Sequence, residues 1–178
     1  LHLVLAFIIL SLVFWNLLNF KYIKVPYKKI SNFFPLFFLI LLYIQIIIGA
    51  FVSGMDAGTI YNSWPLMGSK YFPDDNVFID LFNLSALSEP SLVQFVHRNL
   101  AYFIAGFYLI ILFKVYKEKL SGFYQILYLI GFILILQILL GIFTLLSGAQ
   151  IYISSMHQIS SIFLISSSIY FLYLNTKN

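Results

Sequence analysis

Five apolar runs, each long enough to cross a bilayer, leave this chain very few folds to choose from. A hydrocarbon core of about 30 Å is spanned by about 20 apolar residues of helix. The runs fall at residues 1–18, 33–53, 92–116, 123–147 and 155–173. Short buried strands would need turn residues every few positions, and the runs lack them. With 62% of residues apolar and 9% charged, no ordinary soluble surface can be built. The prediction is an all-α integral membrane protein with five transmembrane helices. The last four are expected to form a pseudo-twofold four-helix bundle of two parallel-repeat hairpins.

The net charge of +4 reads as topology and gives no reason to expect a nucleic-acid partner. Lys21, Lys24, Lys28 and Lys29 lie in the first loop, Lys114, Lys117 and Lys119 in the third, and Lys177 in the tail. Alternate segments share one side of the bilayer. Five of the six acids (Asp56, Asp74, Asp75, Asp80, Glu89) fall in the second loop. The positive-inside rule therefore puts the lysine loops and the C-terminus on the cytoplasmic side, or the matrix side in a mitochondrion. The fourth loop, residues 148–153, is uncharged. There is no cysteine, so disulfides and thiolate metal sites within the chain are excluded. The first run has neither the basic start nor the small-residue cleavage site of a signal peptide.

Three histidines share a local frame: His2 with Leu5-Ala6, His97 with Leu100-Ala101, and His157 with Ser160-Ser161. The intervals from each to an inner lysine of its helix are 19 residues (His2 to Lys21), 17 (His97 to Lys114) and 20 (His157 to Lys177). All three imidazoles therefore sit roughly 25–30 Å above those lysines, toward the outer leaflet. A second repeat precedes the last two: Gln45-Ile46-Ile47-Ile48-Gly49 and Gln137-Ile138-Leu139-Leu140-Gly141. The unit is a hairpin in which one helix rises with Gln-Ile-x-x-Gly and the next descends with its histidine near the top. Two copies running in the same sense imply a pseudo-twofold along the membrane normal. The helix of His2 matches the descending half of an earlier hairpin, and the chain starts with Leu1. We therefore expect the C-terminal portion of a longer protein, divided into a last helix of an N-terminal half (1–18), a loop (19–33) and a four-helix bundle (34–174) with an outer loop (55–90).

Two imidazoles facing one another across a bundle suit the axial positions of a haem iron. Zinc would call for further ligands, and no acid lies in a helix at that depth. His97 and His157 are the candidate ligands of a b-type haem, and Arg98 is a candidate partner of a haem propionate. Each has a plainer reading. A histidine near a helix end also serves as an interhelical hydrogen bond or snorkels to the interface, as does Arg98. Gln45 and Gln137 read as interhelical hydrogen bonds, and Gly49 and Gly141 as packing positions that let backbones approach.

The stretches Gln45-Ile46 to Gly49-Ala50, Ser53-Gly54-Met55-Asp56-Ala57-Gly58 and Tyr61-Asn62-Ser63-Trp64-Pro65-Leu66-Met67 resemble the haem A synthases of the mitochondrial and alphaproteobacterial type. So do Gln94-Phe95-Val96-His97-Arg98 with Ala101-Tyr102, and Gln137 to Thr144 followed by His157-Gln158. The resemblance covers nearly the whole chain, from the fourth to the eighth helix of an eight-helix family. It implies an oxidoreductase of haem A biosynthesis that converts the C8 methyl of haem O to a formyl group, for cytochrome c oxidase. It further implies that His97 and His157 hold a haem b cofactor and that His2 is the second ligand of the substrate haem, whose first ligand is not in this chain. Catalysis by this chain alone is then expected to be incomplete. Location in a bacterial cell membrane or mitochondrial inner membrane follows, with haem O synthase, oxidase assembly factors or a second copy as partners. A transmembrane b-type cytochrome that only transfers electrons, and a haem-free assembly scaffold, are the alternatives. Tyr61, Asn62, Trp64 and Pro65 are expected either to cap the haem edge or to anchor at the interface.

Overall fold

A computed structural model describes residues 2–21, 23, 25–26 and 29–177. Leu1, Lys24 and Lys28 of the expectations above lie outside the described residues. Among those described there are five α-helices of membrane-spanning length: α1 (His2–Phe20), α2 (Phe33–Gly54), α3 (Pro90–Lys117), α4 (Tyr124–Leu146) and α5 (Ile151–Thr176). Apolar helices are the natural answer to a solvent that cannot hydrogen-bond backbone. Helix α2 packs on α3 and α4 on α5, and the ring closes through α2 with α5 and α3 with α4. Helix α1 lies outside this ring against α5 and α2.

Two boundaries differ from the sequence reading. Helix α5 starts at Ile151, so the fourth loop is a four-residue turn and not the six residues expected. Gly148 (φ 68°) and Ala149 (φ 60°) both take left-handed backbone. Their N–H groups donate to Leu145 O at 3.0 Å and Thr144 O at 2.8 Å, the double closure that ends a helix sharply. Helix α3 starts at Pro90, where proline loses nothing because a first-turn N–H has no helical partner. The outer loop contains 3₁₀ turns at Ala57–Thr59, Phe78–Phe82 and Leu84–Ser88.

The lysine-bearing segments gather at one end of the bundle. Lys29 Nζ donates to Lys177 O at 2.5 Å, and Lys177 Nζ to Asn19 Oδ1 at 2.5 Å. Lys114 Nζ sits 5.2 Å above the Phe34 ring. Tyr173 donates to Leu18 O at 3.0 Å, so α1 and α5 run parallel. Sixteen residues separate His2 from Leu18, and sixteen separate His157 from Tyr173, which puts these two histidines at matching height. Tyr43 OH bonds Ser11 Oγ and donates to Phe7 O at 3.3 Å, fastening α1 to α2.

Packing density is uneven along the bundle. Phe38, Leu41 and Leu42 of α2, Ile104 to Val115 of α3, Ile126 to Leu134 of α4 and Leu164 to Leu174 of α5 supply one buried cluster. All of it lies on the lysine side of the Gln45, His97, Gln137 and His157 level. Above Leu164, α5 is mostly exposed or half-buried, Ser160 being the buried exception. In lipid, close packing and buried polar contacts do the work that the hydrophobic effect does in water. Asn175, fully buried, is the clearest such contact. It accepts from Ile30 N at 3.1 Å and donates to Ile30 O at 3.0 Å and Asn32 Oδ1 at 2.7 Å. Asn175→Ala leaves the Ile30 backbone groups without partners, and we expect a loss of about 1–3 kcal/mol in detergent unfolding. An unchanged unfolding midpoint would show that this joint contributes nothing.

Candidate functional site

Both hairpins build the same contact from the same three residues. In the first, Gln45 Nε2 on α2 donates to the backbone carbonyl of His97 on α3 at 3.0 Å. In the second, Gln137 Nε2 on α4 donates to the carbonyl of His157 on α5 at 2.9 Å. One turn along each rising helix stands the glycine. A Cβ on Gly49 would lie 3.1 Å from His97 Cε1, and one on Gly141 would lie 3.3 Å from His157 Cε1. The four-residue spacing puts glutamine and glycine on one face of their helix, so one grips the histidine backbone while the other admits its ring. What approaches each glycine is an imidazole, where the sequence reading expected a neighbouring backbone.

The pairs differ in detail. Gln45 Nε2 also lies 3.3 Å from His97 Nε2, whereas Gln137 Nε2 donates to Ser160 Oγ at 2.6 Å. Nδ1 of both histidines is buried and without a protein partner. His2 is exposed on the first turn of α1 and takes no part in these contacts.

Arg98, expected at a propionate, holds the outer loop. Its Nη2 donates to Tyr61 O at 2.9 Å, and its Nη1 to Ser63 O at 3.0 Å and Leu66 O at 3.3 Å. Gln94, one turn earlier and buried, donates to the same Tyr61 carbonyl at 3.1 Å. The planar guanidinium, with five N–H donors in a fixed fork, suits gathering three carbonyls. Asn62 Nδ2 donates to Leu145 O at 2.9 Å, tying the loop to the end of α4, and Trp64 Nε1 donates to Tyr102 OH at 2.8 Å. The loop is therefore latched over the His97 end. Three of its carboxylates, Asp74, Asp75 and Asp80, accept hydrogen bonds from the loop itself. Burial would raise the Asp75 carboxyl, but hydrogen bonds from Tyr61, Asn76 and Ser91 outweigh it and hold Asp75 below its usual range. Burial, with the bond to Asp75, raises the Tyr61 hydroxyl above its ordinary value.

The comparisons with known proteins identify the family. Residues 1–169 match the COX15-CtaA family, described as cytochrome oxidase assembly protein. The chain belongs to that family. It is 44% identical over 176 residues to a heme A synthase of Pelagibacter ubique, covering 99% of this chain and 52% of that protein. A heme A synthase of Rickettsia prowazekii is 35% identical over 179 residues (98% and 53%), and one of Flavobacterium johnsoniae 38% over 186 residues (99% and 53%). The chain thus spans about half the length of these COX15-CtaA relatives. No solved structure matches it.

The glycine contacts make a testable claim independent of any ligand. In Gly49→Ala the methyl meets a ring already tethered through Gln45, and we expect a cost of about 1–3 kcal/mol from overpacking. Gly141→Ala should cost less, because the Gln137 amide holds the Ser160 hydroxyl and leaves the His157 ring freer to shift. Gly106→Ala, with open space at its Cβ, should be neutral or stabilising by about 0.5–1 kcal/mol. Equal effects at all three sites in thermal unfolding would contradict the cradle.

Proposed function

We propose that this chain carries the haem-holding part of a haem A synthase, the enzyme that oxidises the C8 methyl of haem O to a formyl group for cytochrome c oxidase. The duplicated glutamine, glycine and histidine contact carries this reading, because it presents two imidazoles of equal status from two facing hairpins. The names of the relatives, all heme A synthases, support the reaction. The oxidation itself, with haem O as substrate, is proposed for the full-length enzyme of which this is the matching half.

The residues fit a haem b. His97 and His157 would hold it, each keeping a buried Nδ1 without a protein partner. Gly49 and Gly141 leave the rings room that a Cβ would take. The tight core ends below this level, at Ile104 and Leu164. Among the described residues no three His, Cys, Asp or Glu side chains converge as a metal site of their own. Bound there, a haem supplies one-electron transfer. The protein's part is to set both imidazoles through their backbone carbonyls, using Gln45 and Gln137. Arg98 and Gln94 hold the outer loop above His97, where it limits access of water. Arg98 Nε is buried and unpartnered, which leaves its N–H as a donor for a propionate. His2 is proposed as a ligand of the substrate haem. By the lysine distribution, the bundle end with Lys114 and Lys177 faces the cytoplasm or matrix, and the His97 end faces outward.

A chimera tests the reading. This chain replaces the matching half of the Pelagibacter ubique synthase in a host that makes haem O and lacks its own haem A synthase. Extracted haems are then separated by chromatography. Haem A is expected from the chimera, and none from its His97→Ala or His157→Ala forms. A chimera that retains haem b yet makes no haem A would favour the electron-transferring cytochrome. Haem A production unimpaired by both substitutions would refute the ligand assignment.

A further inference from the structure

The outer loop carries an apolar surface that the haem reading does not use. Phe78, Ile79 and Phe82 are 63%, 65% and 74% exposed, and Val77 and Leu87 are exposed beside them. The acid among them is turned inward. Asp80 accepts from Val77 N at 2.9 Å and from Asn83 Nδ2 at 3.3 Å, so its charge is engaged by its own turn. A run of aromatic contacts joins this surface to α3. Phe82 meets Phe78 at 5.9 Å between ring centroids, Phe78 meets Phe72 at 5.8 Å, and Phe72 meets Phe95 at 5.0 Å.

Helix length sets the height of this ladder. From Lys114 to Pro90 is 24 residues, about 36 Å of helix. With the inner boundary of the hydrocarbon near Lys114, its outer boundary lies about 30 Å above, near residue 94. Pro90 stands about 6 Å beyond, in the headgroup layer. The segment Phe78–Phe82 is joined to that point through the 3₁₀ turn Leu84–Ser88. Phe95, the foot of the ladder, lies at the boundary itself.

We propose that residues 77–82 lie on the bilayer, with Phe78, Ile79 and Phe82 seated at the headgroup–acyl boundary of the outer leaflet. The occupant of this face is lipid, because the face continues the outer end of a membrane-spanning helix, lies at interfacial height, and keeps its carboxylate bonded within its own turn. The loop is then held from two sides, by the Arg98 latch above His97 and by the membrane at Phe82. This claim does not depend on the haem assignment.

The chain has no cysteine, so Phe82→Cys and, separately, Ile79→Cys give single labelling sites for an environment-sensitive fluorophore. Each labelled full chain is reconstituted in phosphatidylcholine vesicles carrying nitroxide-labelled lipids. A nitroxide near the glycerol level should quench both labels roughly twofold more than one near the chain end, as expected for burial of about 5–10 Å, while aqueous iodide quenches weakly. Strong iodide quenching with no lipid quenching would overturn the proposal, because the face would lie in water. Shielding from both quenchers that disappears as protein is diluted in lipid would also overturn it, since a second copy would then be the occupant.

Discussion

A histidine on a membrane helix has its backbone carbonyl already engaged in the helix ladder, so a side-chain amide that also reaches that carbonyl must come from a helix packed very close. Gln45 and Gln137 do this at 3.0 and 2.9 Å. The approach is possible because a glycine follows one turn later and the imidazole lies over it. Each hairpin is thereby locked in register at the level of its histidine. A shift of one turn would move the ring about 5.4 Å, off the glycine that admits it. The same lock is built in both hairpins.

The two hairpins carry the same lock on very different connections. The second closes in a four-residue turn, held by Ala149 and Gly148. The first needs a loop of more than thirty residues, and a long loop above a membrane site must be tied down. The residue after each histidine reflects this difference. Arg98 gathers three loop carbonyls, whereas Gln158 stands beside a turn that needs no latch. Divergence within the repeat has gone to the part above the bilayer.

The helices were legible in the sequence because bilayer thickness acts through simple spacing, and the lysine-bearing segments meet at one end of the bundle as their alternation implied. The pairing of Gln45 and Gln137 with a neighbouring helix was legible too, since an intramembrane amide must find a partner. What each glycine admits was not, because periodicity does not say which atom of the facing helix arrives. The Arg98 latch was also hidden, as it depends on how the outer loop returns over α3. The early start of α5 rests on Ala149 adopting left-handed backbone, which residue preferences would not assign to alanine.

The central claim is that His97 and His157 act as one ligand pair, and the most direct measurement is a reduced-minus-oxidised optical spectrum of the purified chain beside its His97→Ala and His157→Ala forms. The account predicts a low-spin b-type signal in the native chain that is lost in both variants. A signal that survives either substitution unchanged, or a native chain that takes up no haem when haem is supplied, would contradict it.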